Sequence, residues 1–138
     1  MPFNHYVPDP HWQRAWVVDD IGEPGRCQAC NYTLLVGVLL NDLPHALNGN
    51  PTIFPGTHHA FQATMQRAGG SQAFLEKFGI DELRRQIPTH DGVQIAGSAG
   101  DILLMHYATA HTVAPNVGPN IRYMAIFKYA RVGCAGNC

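Results

Sequence analysis

The sequence predicts an all-β domain, a sandwich or jelly roll, with one helical insertion at about residues 57–86. Its apolar segments are short and strand-sized, and two of the longest are Tyr32–Leu40 and Ile121–Tyr129. Glycine and proline turn signals separate these segments, a spacing that is typical of antiparallel β-domains. Helical start and stop signals are confined to the middle of the chain.

The composition fits one domain and does not favour a nucleic-acid partner. The chain has 138 residues, of which 46% are apolar, and this is enough for one hydrophobic core. Charged residues make up only 14%, and the formal net charge is −1. No basic stripe is available for a phosphate backbone, so a nucleic-acid partner is not expected. We expect the domain at residues 14–131, after an irregular lead-in (1–13) and before a tail (132–138).

No segment predicts a membrane span or an export signal. The longest apolar run, Leu34–Leu40, is far too short to cross a bilayer. The first residues, MPFNHYVPDPHW, are polar and interrupted by proline, unlike a signal peptide. The last residues, GCAGNC, match no retention or peroxisomal signal. Cytoplasmic residence is therefore the default expectation.

The four cysteines form two close pairs, Cys27 with Cys30 and Cys134 with Cys138. Such short spacings would suit a tetrahedral zinc site. Free thiols in a reducing compartment are the simpler interpretation. The second pair also lies at the chain terminus, where order is usually lowest, so we do not expect bound zinc.

Strand and helix candidates follow one another in a defined order. The strand candidates are Ala15–Asp19, Tyr32–Leu40, Thr52–Phe54, Val93–Ala96, Ile102–Met105 and Ile121–Tyr129. Tyr32–Leu40 is so rich in Leu and Val that we expect a central strand buried on both faces. Thr57 is the candidate cap of a helix to Arg67, and Ser71 of a second helix that stops at Gly79.

The most informative stretch runs from Gly100 to Arg131. Two strand candidates joined by a turn-rich piece would bring His111 and Arg122 together. This pair suits a metal ligand next to a carboxylate anchor, because a guanidinium group grips a carboxylate bidentately. The apolar neighbours of Arg122 indicate a buried strand, where an unpaired guanidinium would be costly and a bound carboxylate would satisfy it. We expect the aromatic residues Phe54, Tyr107, Tyr123 and Phe127 in the core.

Three blocks carry a resemblance to a known family. They are GDILLMHYATAHTVAPN with IRYMAIFKY, LLVGVLLNDLP at Leu34–Pro44, and GNPTIFPGTHH at Gly49–His59. In order and spacing they resemble the phytanoyl-CoA dioxygenase-like family over about residues 14–131. The resemblance implies a double-stranded β-helix, a jelly roll that uses Fe(II) and 2-oxoglutarate as cofactors. It also implies an oxidoreductase activity, the hydroxylation of a small organic substrate.

The resemblance also implies site residues. Iron in such enzymes is held by two histidines and one carboxylate on one face. His111, in His-Thr-Val-Ala-Pro-Asn, matches the distal histidine, and Arg122 matches the arginine that binds 2-oxoglutarate. With Trp16 as the alignment anchor, Asp19 supplies the carboxylate, but Val17 stands where the family has its first histidine.

A competing alignment frame and competing functions stay open. The frame His11-Trp12-Gln13 keeps a histidine but loses the carboxylate. A non-catalytic relative, truncated or without iron, is favoured by Val17 and by the short N-terminus. A cupin-like small-molecule binding protein would instead use His58, His106 and His111 for a different metal. The four cysteines leave a zinc-stapled module as a weaker alternative, and neither substrate nor oligomeric state follows from the sequence.

Overall fold

The computed structural model describes residues 8–18, 34–87, 89–90 and 92–129. In this part of the chain, a short 3-10 helix at Trp12–Ala15 precedes strands and helices in a mixed order. The strands are β1 (Leu34–Leu39), β2 (Pro51–Ile53), β3 (Val93–Gln94), β4 (Ile102–His106), β5 (His111–Val113) and β6 (Met124–Tyr129). Helices α1 (Thr57–Ala68) and α2 (Ser71–Gln86) lie between β2 and β3, which confirms the predicted helical insertion.

The strands form two small antiparallel sheets. One has the order β4-β1-β6 and the other the order β3-β2-β5. In the first sheet, Leu35 of the central strand β1 is paired with Met105 on one side and with Lys128 on the other. Directly paired residues share a face of the sheet, so these three side chains point to the same side. The β-rich class is confirmed.

The prediction that the strand within Tyr32–Leu40 is buried on both faces is wrong. Burial alternates along β1, with Leu35 and Leu39 buried, whereas Val36 and Val38 are only half-buried. The face that carries Val36 and Val38 is open, since their paired neighbours Ile102, Leu104 and Phe127 are exposed. The apolar residues of β1 would allow both faces of the strand to be buried. Whether both faces are buried depends on which other elements pack against them.

Strand β6 is shorter and more exposed than predicted. It begins at Met124 rather than at Ile121, and Arg122 lies just before it. Tyr123 is 57% exposed and Phe127 is 49% exposed, so the expectation that they belong to the core is wrong. Both lie at or next to an edge strand of the sheet, where one flank has no described partner. Phe54, in contrast, is buried as expected.

Helix α1 begins at Thr57, but the predicted capping role of this residue is wrong. Gly56 is the N-cap, and no side chain caps the helix. The Thr57 hydroxyl instead donates to the Phe54 carbonyl oxygen at 2.7 Å and accepts the Ala110 N–H at 2.9 Å. A buried threonine therefore ties the start of α1 to the segment that leads into β5.

The predicted stop at Gly79 is a kink inside α2. Its φ of 77° and ψ of 173° are not helical, and glycine tolerates a positive φ that other residues rarely adopt. The chain then resumes helical geometry as far as Gln86, whereas the N-cap of α2 is Gly70 and not Ser71. Among the described residues, no helix is both long and apolar enough to cross a membrane.

The main hydrophobic core packs the two helices against residues that flank β2 and β5. Its buried members are Trp16, Val18, Phe54, Phe61, Met65, Phe74, Leu83, Ile87, Ala108 and Ala110. A second cluster is much smaller and has only Leu35 and Met105 as buried residues, with Ile53 and Tyr107 packed on them. Because this small cluster brings both sheets together with few side chains, space is left between the sheets.

Candidate functional site

A cavity of about 260 Å³ lies between the inner faces of the two sheets. Most of its wall is apolar and comes from Leu35, Pro51, Ile53, Leu103, Met105, Val113, Met124 and Ile126. Its polar lining consists of His111, Thr112, Arg122 and Lys128. An apolar cavity with a few convergent polar groups is the usual form of a small-molecule site.

Arg122 supplies a cation to this cavity. It is half-buried, and within the described ranges its guanidinium makes no hydrogen bond or ion pair. Burial lowers the pKa of the Arg122 guanidinium, because removal of water disfavours the charged form. An anionic ligand would supply the hydrogen-bond acceptors that such a partly desolvated guanidinium lacks, and a carboxylate has the matching geometry.

His111 lies in the same cavity, as the first residue of β5. Its Nδ1 is 2.9 Å from the carbonyl oxygen of Thr109. A carbonyl oxygen only accepts hydrogen bonds, so Nδ1 is the donor in this contact. Metal-binding histidines commonly have this arrangement, with one ring nitrogen donating to a backbone carbonyl and the other coordinating. The two residues that the sequence singled out after Gly100 are thus brought together.

Val17, from the N-terminal part of the chain, lies next to His111 in the fold. Its backbone forms an isolated antiparallel bridge with His111. Residues paired in this way point to the same face of the sheet, so the Val17 side chain stands beside the His111 side chain. A valine has no atom that coordinates a metal. Asp19, the predicted carboxylate ligand, lies outside the described residues.

The competing frame does not bring its histidine to this cavity. His11 is exposed at the start of the 3-10 helix and is not part of the cavity wall. Gln13, which would replace the carboxylate in that frame, accepts the Gly92 N–H at 2.9 Å through Oε1. Val17 is not part of the cavity wall either, but its backbone pairs with His111, so the frame that aligns Val17 with the missing histidine is the one that reaches His111.

A histidine cluster outside this cavity contains His58 and His106, two of the three histidines of the cupin-like alternative. The ring centroids of His58 and His106 are 5.3 Å apart, and those of His58 and His59 are 3.9 Å apart. Burial and the nearby charges of His59 and His106 lower the pKa of His58. His106 itself accepts the Ala108 N–H through Nδ1.

This cluster does not form the metal site of the cupin-like alternative. Across the described ranges, no group of three or more histidine, cysteine, aspartate or glutamate residues is arranged to hold a metal ion. His58 and His106 are therefore neighbours without joining His111 in a ligand set. The His58–His106 contact joins residues that are far apart in sequence, so it depends on tertiary packing.

Lys128 is a cavity residue that sequence reasoning missed. A signal was present, because Arg122, Met124, Ile126 and Lys128 follow one another at intervals of two, and all four line the cavity. Alternation along an extended chain keeps such residues on one face. The cavity wall thus combines two cations with one histidine.

Comparison with known proteins adds no relative: no protein-family model and no curated protein matches the chain.

Proposed function

We propose that the chain is a double-stranded β-helix protein of the iron(II)- and 2-oxoglutarate-dependent oxygenase class, with an iron centre that lacks one histidine. The observation that carries this proposal is that His111 and Arg122 line one cavity between two antiparallel sheets. The strand order also supports it, because β1, β4 and β6 share one sheet while β2, β3 and β5 share the other.

In this proposal Arg122 holds the far carboxylate of 2-oxoglutarate. Its guanidinium is partly desolvated and has no partner among the described residues, so a carboxylate would recover the lost interactions. A cavity of about 260 Å³ has room for a small dicarboxylate.

The metal ligands in this proposal are His111, through Nε2, and Asp19. Thr109 fixes the tautomer of His111 by accepting from Nδ1. Asp19 follows Val17 by two positions in the sequence, a spacing that keeps strand residues on one face. With dioxygen as the oxidant, iron and 2-oxoglutarate bound together would supply the chemistry for hydroxylation of a C–H bond. The protein itself orients the co-substrate and excludes water with apolar walls such as Leu35 and Met105.

A second candidate is a non-catalytic protein that binds a dicarboxylate in the same cavity. Val17 favours it, because a side chain next to His111 that cannot coordinate leaves two protein ligands where the facial triad has three. Both candidates require Arg122, and they differ in whether succinate is produced.

The test is calorimetric titration with 2-oxoglutarate in the presence of Mn(II), on the wild type and on Arg122→Ala. We expect a loss of roughly 3 kcal/mol or more of binding free energy, the scale of a broken charge-assisted pair. Arg67→Ala, which removes an exposed arginine on α1, is the matched control and should bind as the wild type does. Equal affinity in Arg122→Ala would contradict the proposal, and succinate formation would select the oxygenase over the non-catalytic protein.

A further inference from the structure

A second cavity, of about 650 Å³, is separate from the one between the sheets, because none of the described residues lines both. It lies where the 3-10 helix at Trp12–Ala15 meets the last turns of α2 and the residues after it. Its lining residues are Gln13, Arg14, Trp16, Phe54, Arg84, Arg85, Thr89 and His90. Trp16 and Phe54 are almost fully buried and form an apolar floor beneath a polar rim.

The rim concentrates positive charge in a protein that has little of it. Three of the nine Lys and Arg residues of the chain, Arg14, Arg84 and Arg85, line this one cavity, although the formal net charge is −1. No acidic residue is among the described lining residues. The remaining rim residues, Gln13, Thr89 and His90, add hydrogen-bonding groups.

These cations are available to a ligand. Within the described ranges, Arg14 makes no hydrogen bond or ion pair through its side chain. Among the described residues, Arg84 pairs with Asp81 and Arg85 with Glu82, one turn earlier on the same helix. Exposed ion pairs of this kind contribute little, so an anion in the cavity competes with them readily. Gln13 uses Oε1 to accept the Gly92 N–H, which leaves its amide N–H groups as donors.

We propose that this arginine cavity binds a small molecule that bears a diphosphate group. A guanidinium group matches phosphate oxygens bidentately, and three of them balance a multiply charged anion. The volume lies within the range of small-molecule sites and exceeds what a single phosphate fills. The apolar floor fits the organic part of such a ligand. This site is independent of the oxygenase proposal and uses none of its residues.

Inorganic pyrophosphate is the probe, titrated calorimetrically into metal-free protein with a chelator present. We expect a Kd below about 1 mM at low salt that rises with ionic strength, as for exposed charge pairs. Arg14→Ala and the double variant Arg84→Ala/Arg85→Ala should each raise this Kd by about tenfold or more, which corresponds to the loss of a bidentate contact. The double variant alters only exposed side chains of α2, so it decides the question even if Arg14→Ala folds poorly.

Two controls separate a site from general attraction of anions. Arg67→Ala removes one positive charge outside the cavity and should leave the Kd for pyrophosphate within about twofold. Arg122→Ala should also leave it unchanged, because Arg122 lines the other cavity. Absence of pyrophosphate binding, an equal loss in Arg67→Ala, or tighter binding of citrate than of pyrophosphate would each overturn the proposal.

Discussion

Val17 and His111 are joined by two reciprocal backbone hydrogen bonds, Val17 N–H to His111 O at 2.8 Å and His111 N–H to Val17 O at 2.9 Å. Residues paired in this way have Cα atoms about 5.5 Å apart and side chains on one face. A side chain at position 17 is therefore the immediate cross-strand neighbour of the proposed iron ligand. The identity of residue 17 decides how many ligands this part of the protein can offer.

The first prediction is that Val17→His increases iron affinity. The wild type should bind Fe(II) weakly and form succinate slowly or not at all, because it has two of the three ligands of the facial triad. A histidine at position 17 would stand beside His111, and we expect at least about a tenfold gain in affinity, or about 1.4 kcal/mol. Anaerobic Fe(II) titration and a succinate assay measure the two effects.

Two variants test whether that gain is specific. Val36→His places a histidine on β1 outside the cavity wall, and it should give no comparable gain. His11→Ala should have no effect, since His11 is not part of the cavity wall. Tight iron binding by the wild type that His11→Ala abolishes would show that the alternative alignment frame is the right one.

The second prediction concerns the buried hydroxyl of Thr57. Thr57→Val removes the acceptor of the Ala110 N–H and should destabilise the fold by about 1–3 kcal/mol, the usual cost of a buried unsatisfied donor. Thr57→Ser keeps the hydroxyl and loses one methyl group, so it should cost only about 1 kcal/mol. Urea unfolding of the three proteins measures the difference. A valine variant as stable as the serine variant would mean that this hydrogen bond contributes nothing.

The third prediction is that His58 makes the fold sensitive to acid. Burial and the charges of His59 and His106 lower the pKa of His58 below its ordinary value of 6.5. Between these two pKa values the unfolded chain binds more protons than the folded chain. The stability present above pH 6.5 is therefore lost as the pH falls towards the pKa of the folded state.

His58→Gln should reduce the fall in Tm between pH 7.5 and pH 5. His45→Gln is the matched control, because His45 is exposed and lies outside the cluster. Its Tm should change with pH as that of the wild type does. If both variants keep the full dependence on pH, the histidine cluster has no part in acid stability.

The fourth prediction uses the close approach of β1 to a cavity side chain. A Cβ at Gly37 would lie 1.9 Å from Cε of Met124, so Gly37→Ala must displace that side chain. The far end of a methionine moves easily, and the cost in stability should be modest, about 1 kcal/mol. Met124 lines the cavity, however, so binding of 2-oxoglutarate should weaken.

The double variant Gly37→Ala/Met124→Ala is the control for this steric effect. It removes the clash, and it should recover part of the lost affinity. Calorimetry of the wild type, Gly37→Ala and the double variant decides. Full affinity in Gly37→Ala would indicate that Met124 moves away from the ligand and does not shape the cavity.

Local signals in the sequence were sufficient for much of the fold. The helical insertion, the break at Gly79 and the apolar segments around β1, β4 and β6 were all predicted, because periodicity and glycine stops act within a few residues. His111 and Arg122 line one cavity as expected, but β5 and β6 belong to different sheets, so their approach depends on how the two sheets pack and not on a local turn.

Tertiary packing decided the features that depend on contacts between distant segments. The sequence predicted a helix start close to Thr57 but assigned its hydroxyl to capping that helix. In the structure the hydroxyl instead accepts the N–H of Ala110, a residue from a distant segment. The exposure of Tyr123 and Phe127 depends on whether another layer covers the sheet, which their own neighbours do not specify. Two further contacts join residues about 70 or more positions apart. Val17 pairs with His111, and Arg14 lines one cavity with Arg84 and Arg85. Contacts between residues so far apart in sequence form only when the whole core packs, so no local sequence pattern predicts them.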